Sequence, residues 1–360
     1  MTKTNHNDHH HHHHGGSTVV EKNSHQYVAK TNIHNNKKTT TSSITKKGIS
    51  GFKSLFGKVP HIKKPPQIIR WDLLGVSMSY LWGMINRRTL PVCLRSPFYK
   101  AWAYTFRCNM DEIPHPLEHY PSLADFFSRP IKEGARPIAS GGTVSPVDGR
   151  VLACGEIVGD KVEQVKGVTY SVQQFLGCDP KTLLKNPNSK LYHCILYLSP
   201  GDYHRIHSSE DWTISKRYHF PGTLFPVNKP FLKLIPSLFA LNERIVLSGD
   251  WDQGFYSLTA VGAYNVGSIS LNFDQIAQTN RITRDFRCKN LEYFSWKGVG
   301  SHSYDVSYDE PIVQTKGQEI GQFHLGSTVV LIFEANEFEF DIKQGDYCKM
   351  GTLIGRAINQ

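Results

Sequence analysis

From about residue 138 onward, short apolar stretches alternate with turn residues, and this pattern limits the fold more than any other feature of the chain. Glycine, proline, asparagine and aspartate separate the stretches. Around Phe338, Phe340 and Ile342, apolar and acidic residues alternate, as in a strand with one buried face. Strands are predicted at residues 149–153, 192–198, 251–262, 267–271 and 329–342. Many short strands with turn signals indicate a β-rich core, as a sandwich or a barrel.

The segment in front of this core, residues 71–137, is predicted to be helical. Its uncharged run at residues 73–85 is 13 residues long, which is short of the ~20 residues that a membrane-spanning helix needs. Trp71 and Trp82 suit a membrane interface. A helix that lies on the membrane and a helix packed in a protein core both fit this pattern. Further helices are predicted at about residues 96–110 and 122–129. The expected fold class is therefore α+β, with membrane-associating helices before a β-rich catalytic core.

Residues 1–70 differ in composition from the rest of the chain. They are rich in polar residues and poor in apolar ones, which predicts disorder. They hold 11 Lys and 1 Arg against Asp8 and Glu21, and so account for the net charge of +10 of the whole chain. Because the remainder is neutral, a nucleic-acid partner is not expected. A basic, hydroxyl-rich tail suits an anionic membrane or import into mitochondria. The histidines at residues 9–14 are either a tag or natural low complexity.

Seven cysteines are scattered along the chain, and no two of them form a Cys-x-x-Cys pair. An odd number without regular spacing argues against a disulfide framework and against a zinc site. The sequence therefore predicts a reducing compartment, small core cysteines and no metal. The cysteines are Cys93, Cys108, Cys154, Cys178, Cys194, Cys288 and Cys348.

The bond between Gly326 and Ser327 offers unusual backbone chemistry. Glycine leaves its carbonyl open to attack and tolerates a strained backbone. The hydroxyl of Ser327 can attack that carbonyl and turn the amide into an ester. Loss of the Ser327 Cα proton then cuts the chain and leaves a dehydroalanine that hydrolyses to a pyruvoyl group, an electron sink for decarboxylation of amines. The tripeptide Gly-Ser-Thr on its own is equally an ordinary turn between two strands.

Self-cleavage also needs a base and an acid that orients it, following the logic of serine–histidine–aspartate sites. Two histidines, His204 and His207, follow a predicted strand three residues apart. They are candidate bases or a pair of structural histidines. Asp148, in Pro-Val-Asp-Gly, is a candidate acid or part of a turn.

Together these segments resemble the phosphatidylserine decarboxylase family. The resemblance rests on the processing-site residues 316–334, on the Pro-x-Asp-Tyr-His-Arg-x-His run at residues 200–207 and on Pro-x-Asp-Gly at residues 146–149. Residues 164–177, 221–228, 242–244 and 261–269 are similar to family segments in the same order. The resemblance covers about residues 80–360. Leu-Gly-Ser-Thr at residues 325–328 is the form found in bacterial and mitochondrial members.

The resemblance implies a proenzyme that cuts itself between Gly326 and Ser327. The products are a β chain of residues 1–326, with its catalytic core at residues 138–326, and an α chain of residues 327–360. The two chains stay associated as a heterodimer. Ser327 becomes the pyruvoyl group and the Schiff-base site, and no further cofactor is needed. The implied substrate is phosphatidylserine, which loses carbon dioxide to give phosphatidylethanolamine.

The family also implies the role of each side chain. Asp148, His207 and Ser327 form the charge relay for self-cleavage, and His204 supplies the proton in decarboxylation. The implied location is the inner mitochondrial membrane, either peripheral or anchored.

Two other classes of protein fit parts of the sequence pattern. An N-terminal-nucleophile hydrolase also matures at a Gly–Ser bond but keeps the free amine. A non-catalytic membrane-binding protein would use only the tail and the first helix. Archaeal-type lipids with a serine head group are alternative substrates.

Overall fold

The computed structural model describes residues 81–358 except residues 166, 223, 228, 264–268, 276, 278, 280–303, 325 and 326. The basic tail, residues 1–70, and most of the first predicted helix lie outside the described residues. Gly326, half of the predicted cleavage site, also lies outside them.

The described helices are short, apart from one of 15 residues. They are α1 (residues 81–86), α2 (Val92–Phe106), α3 (Leu123–Phe127), α4 (Val172–Leu176), α5 (Lys229–Leu234) and α6 (Leu238–Leu241). The predicted helix at residues 96–110 is confirmed as α2, four residues earlier, because Arg107 adopts a left-handed backbone (φ 56°) that ends it. Ser122 caps α3, since its Oγ accepts a hydrogen bond from the Asp125 amide at 3.2 Å.

The strands dominate the rest of the described chain. They are β1 (Thr143–Val144), β2 (Gly149–Ile157), β3 (Lys161–Val165), β4 (Val168–Ser171), β5 (Lys190–Leu198), β6 (Arg205–His207), β7 (Trp212–Phe220), β8 (Arg244–Trp251), β9 (Gly254–Val261), β10 (Ile269–Leu271), β11 (Tyr304–Gln314), β12 (Glu319–Phe323), β13 (Ser327–Ala335), β14 (Phe338–Phe340), β15 (Tyr347–Cys348) and β16 (Leu353–Ala357). The strand predicted at residues 329–342 is therefore wrong as a single element, because the chain turns between β13 and β14.

Eight of these strands form one antiparallel sheet in the order β11-β7-β8-β9-β13-β5-β2-β15. Smaller sheets follow the orders β10-β12-β6 and β1-β16-β14, and β3 pairs with β4. The large sheet is open, since β11 and β15 are its end strands in the described chain. A β-rich α+β core is confirmed, whereas the barrel alternative is not realised among these strands.

The large sheet is buried on both faces, and β13 shows this most clearly. Val329, Leu331 and Phe333 point into a core shared with β6, β10, β12, β14 and β16. Val330 and Ile332 point into a second core beneath α4, α5, α6 and the β3–β4 hairpin. Because both faces of β13 are covered, it reads as a continuous apolar run rather than an alternating one.

The helices before the core form a small cluster of their own. Tyr99 of α2 stacks on Phe126 of α3, with ring centroids 4.6 Å apart, and both side chains are fully buried. The outer surface of these helices carries exposed large hydrophobic side chains, such as that of Tyr104, which is 89% exposed. Among the described residues no helix is long and apolar enough to cross a membrane.

Candidate active site

Two connections meet at one end of β13. The β5–β6 loop (residues 199–204) and the β12–β13 link (residues 324–326) both connect the large sheet to the sheet β10-β12-β6. Within the large sheet β5 pairs with β13, and within the smaller sheet β6 pairs with β12. Leu198 pairs with Ser327 at one end, and the carbonyl of His204 accepts the amide of Phe323 at 2.9 Å at the other. The loop that carries His204 therefore starts next to Ser327 and ends next to Phe323, the two residues that border the link at residues 324–326.

Ser327 is the first residue of β13. Its side chain is buried, and its Oγ has no hydrogen-bond partner among the described residues. A buried hydroxyl without a partner loses its interaction with water and gains nothing in return. Such an oxygen is free to act as a nucleophile once a base takes its proton.

His204 lies on the β5–β6 loop and is completely buried. Its Nδ1 donates to the carbonyl of Asp202 at 2.7 Å, because a carbonyl can only accept. Its Nε2 therefore carries the lone pair, and this atom has no partner among the described residues. Burial lowers the pKa of His204 to about 3, so the ring is neutral at physiological pH and the Nε2 lone pair is unprotonated.

His207 lies on β6 with both ring nitrogens engaged. Nδ1 donates to the carbonyl of Gly317 at 2.8 Å. The neutral ring then accepts at Nε2, where the Tyr203 hydroxyl donates at 2.9 Å. Burial lowers the pKa of His207, although the Gly317 carbonyl and nearby carboxylates oppose this effect. The ring has a defined tautomer, and the Tyr203 hydroxyl covers its lone pair.

Asp148 follows β1 and is buried beside this histidine. Arg136 donates to it through Nε at 2.9 Å and through Nη2, and the amide of Met350 donates at 2.8 Å. Arg136 also donates to both carboxylate oxygens of Glu112 at 2.8 Å. Among the described residues no hydrogen bond joins Asp148 to His207. The charge of Asp148 still acts on the imidazole and favours its protonated form.

The described residues contain no group of three or more His, Cys, Asp or Glu side chains placed to hold a metal ion. Ser327 Oγ and His204 Nε2 are both buried polar atoms without a hydrogen-bond partner among these residues, and they lie at the ends of the same two connections.

Comparison with known sequences agrees with this geometry. The sequence model of phosphatidylserine decarboxylase matches residues 123–356. The mitochondrial phosphatidylserine decarboxylase proenzyme of Cricetulus griseus is 43% identical over 305 residues, which cover 77% of this chain and 71% of that protein. Proenzyme 1 of Arabidopsis thaliana is 38% identical, covering 80% and 74%. Proenzyme 1 of Saccharomyces cerevisiae is 36% identical, covering 78% and 71%.

The chain belongs to the phosphatidylserine decarboxylase family. The structure of this decarboxylase adds residues that sequence reasoning missed. Tyr203 was part of the recognised run, but its bond to His207 needs the turn between the loop and β6. Arg136 and Glu112 gave no sequence signal, because Arg136 sits in an ordinary Ala-Arg-Pro segment. Only the fold brings these two residues to Asp148.

Proposed function

We propose that this decarboxylase cuts its own chain between Gly326 and Ser327, and that residue 327 becomes its pyruvoyl group. The observation that carries the proposal is the buried, unpartnered Oγ of Ser327 at the start of β13. Membership of the family gives the reaction: phosphatidylserine is converted to phosphatidylethanolamine and carbon dioxide in phospholipid biosynthesis. The relatives are named mitochondrial, and the chain is a mitochondrial protein, in our proposal at the inner membrane.

In the cutting step, Ser327 Oγ attacks the carbonyl carbon of Gly326 and the bond from that carbon to the Ser327 nitrogen breaks, so the amide becomes an ester and the proton lost by the hydroxyl ends on the freed amine. Loss of the Ser327 Cα proton then breaks the bond from Cβ to the ester oxygen, which releases the Gly326 carboxylate and leaves a dehydroalanine that hydrolyses to the pyruvoyl group and ammonia. His207 takes the proton of the hydroxyl through Nε2, which requires the Tyr203 hydroxyl to move off that atom. Asp148 stabilises the imidazolium that forms, as the carboxylate does in serine–histidine–aspartate sites. Arg136 holds Asp148 with two hydrogen bonds, so the carboxylate is fixed in place.

In the mature enzyme the pyruvoyl group supplies an electron sink for the electrons left behind when carbon dioxide departs. The protein must remove a proton from the substrate ammonium and later return one to carbon. His204 suits the return of a proton to carbon, because burial lowers its pKa to about 3 and an imidazolium with a depressed pKa gives up its proton readily. Phe127, whose ring centroid lies 4.0 Å from that of His204, shields this proton from water.

The surface of α1 and α2 suits a bilayer as the source of the substrate. Leu81, Ile85, Val92 and Leu94 are each about half exposed, and the basic pair Arg87-Arg88 lies between Ile85 and Val92 in the sequence. Such a surface adsorbs to anionic lipid. Trp82 and Trp102 pack on Phe127, which contacts His204. An aromatic path therefore leads from the proposed membrane face to the catalytic histidine.

After cutting, the α chain remains held by the β chain. β13 pairs with β5 on one side and β9 on the other. Glu334 adds a polar anchor within β13. Its carboxylate accepts the amides of Lys185, Asn186 and Phe255, each at 2.8 Å, and the hydroxyl of Ser189. A 34-residue fragment cannot form a core alone, so these contacts explain how it would persist.

The decisive experiment is the intact mass of the purified protein. We expect a fragment of residues 327–360 with a blocked N-terminus, lighter by one ammonia than the same peptide beginning with serine. A free serine at position 327 would instead indicate the N-terminal-nucleophile class. A stable uncut chain would contradict the proposal and favour a protein that only binds membranes.

Replacing the relay residues should stop maturation. In His207→Ala and Asp148→Ala we expect the chain to stay at full length, because Ser327 loses its base or the charge that supports the base. Tyr203→Phe is the matched control: it removes the hydroxyl that covers Nε2 and should still be cut. Denaturing electrophoresis over time measures all three. Normal cutting of His207→Ala would assign the base role to another group.

Acid should weaken the hold on the α chain. Burial disfavours the charge of Glu334, but the amides of Lys185 and Phe255 outweigh this and lower its pKa below the usual value. A lowered pKa means that the stabilisation is present above the unfolded pKa of about 4.3 and is lost as pH falls below it. In Glu334→Gln we expect a loss of about 1–3 kcal/mol, because three amides lose an ionised acceptor. Denaturant-induced release of the fragment between pH 3 and pH 7 measures both effects. An unchanged midpoint in Glu334→Gln would argue against the anchor.

A further inference from the structure

Arg129, immediately after α3, is a buried cation whose charge is not neutralised by direct contact. Only 4% of the residue is exposed. Nη1 donates to the Phe126 carbonyl and Nη2 to the Gly201 carbonyl, both at a long 3.3 Å. Its Nε has no hydrogen-bond partner among the described residues. The guanidinium also lies over the Phe126 ring, 5.0 Å from its centroid.

A buried guanidinium without a counter-ion is unusual. Arginine cannot shed its proton, and buried charges are normally paired. Among the described residues no carboxylate lies within ion-pair distance of Arg129, whereas Arg136, in the same region, is paired with Glu112 and Asp148. Arg129 acts on the thiol of Cys108 through its charge and a side-chain hydrogen bond, and on the Asp202 carboxylate through its charge. Both effects favour the ionised forms, although burial raises the pKa of both groups. This arrangement suits an anion that is not part of the chain.

Arg129 lines a cleft that is open to solvent. The cleft is also lined by Gly201 and Asp202, which belong to the loop that carries His204. Its acidic side chains are already engaged: Asp148 and Glu112 by Arg136, and Asp202 by the Ser199 amide and the Tyr347 hydroxyl. Of its other cations, Arg107 is exposed and Lys349 lies 3.8 Å from Glu112. Arg129 is thus the buried cation left for a ligand.

The substrate carries two anionic groups, and only one of them suits Arg129. An arginine on the carboxylate would stabilise a charge that disappears as carbon dioxide leaves, so it would oppose the reaction. The phosphodiester keeps its charge from substrate to product. Arginine donors match phosphate oxygens well. We propose that Arg129 binds the phosphodiester of the phosphatidylserine headgroup, an assignment that rests on the family's reaction.

Kinetics of the mature enzyme test this assignment. Because the phosphate contact is equally strong in substrate and transition state, its loss should raise KM and leave kcat nearly unchanged. We expect Arg129→Gln to raise KM about tenfold or more and Arg129→Lys to raise it less, with both variants cut normally. Lys349→Gln removes the same charge from the same cleft and should leave KM unchanged. A fall in kcat at constant KM in Arg129→Lys would overturn the proposal and leave Arg129 as a support of the His204 loop.

A binding measurement separates this inference from self-cleavage. Inorganic phosphate should bind the uncut Ser327→Ala protein in calorimetry, and the additional change Arg129→Gln should abolish that binding. In the mature enzyme, phosphate should inhibit competitively with phosphatidylserine. Non-competitive inhibition would place a separate anion at Arg129 and overturn its assignment to the substrate. Absence of phosphate binding to Ser327→Ala would overturn the anion site itself, whatever the outcome for processing.

Discussion

Ser327→Ala should yield a single uncut chain of 360 residues without decarboxylase activity. Alanine removes the only atom of residue 327 that can attack the Gly326 carbonyl. It also removes the source of the pyruvoyl group, so cutting and catalysis fail together. The substitution leaves β13 in place, since its pairing with β5 and β9 uses the backbone. Denaturing electrophoresis and release of labelled carbon dioxide measure the two losses.

The neighbouring residue provides a matched control. Thr328 is also buried and its Oγ1 also lacks a partner among the described residues, but successive strand residues face opposite sides of the sheet. Thr328→Val keeps the shape and removes the hydroxyl, and we expect it to be cut. If Ser327→Ala were cut while Thr328→Val stayed whole, the nucleophile would be Thr328 and the pyruvoyl group would not form at residue 327.

His204→Ala should be cut and yet turn over about 10²- to 10⁴-fold more slowly, the range typical of a lost acid–base group. The reason is that Nε2 of His204 is the free acceptor in the site, whereas the proposed cutting step uses His207. The expected loss is in kcat, because the ring moves a proton and does not anchor the lipid. Turnover of the purified, fully cut variant measures the effect.

A second buried histidine controls for the loss of an imidazole. His193 lies within β5, and burial lowers its pKa to about 4, so it is neutral like His204. It lies six residues before the loop at residues 199–204, about 20 Å along an extended strand, and His193→Gln should keep full turnover. Full activity of cut His204→Ala would remove His204 from the chemistry. Failure of His204→Ala to be cut would move it into the maturation step.

The strand-rich core could be predicted from the sequence, and the reacting residues could be proposed from it, because both leave local signals. Alternating apolar and polar residues predict a strand. A Gly–Ser bond, together with a histidine pair elsewhere in the chain, suggests self-cleavage. The contacts between side chains that are distant in the sequence leave no such local signal. Nothing near Arg136 indicates that it holds Asp148, and the closeness of Tyr203 Oη to His207 Nε2 depends on the turn into β6. The relay predicted from the family, with Asp148 on His207, remains a proposal, since the hydrogen bonds of this structure give each of them other partners.

The end of β13 at Ala335 could not be predicted from the sequence either. The residues that follow continue the alternation into β14, so the pattern predicted one long strand. The chain instead bends at Asn336 and Glu337, and β14 joins a different sheet beside β16. Periodicity reports which face of a strand is buried, but it does not report which sheet buries it.

If the chain is cut between residues 326 and 327 as proposed, the position of β13 keeps the two products together. In the sheet order, four strands lie on one side of β13 and three on the other, and all seven but β15 belong to the longer chain. Removing the shorter chain would split the sheet in two and leave the backbone hydrogen-bonding groups of β5 and β9 unpaired. Exchange of shorter chains between molecules would therefore require unfolding. If two isotopically distinct batches of cut enzyme were mixed, hybrid molecules should not appear under native conditions. Each shorter chain would therefore stay with the longer chain it was made with for the lifetime of the enzyme.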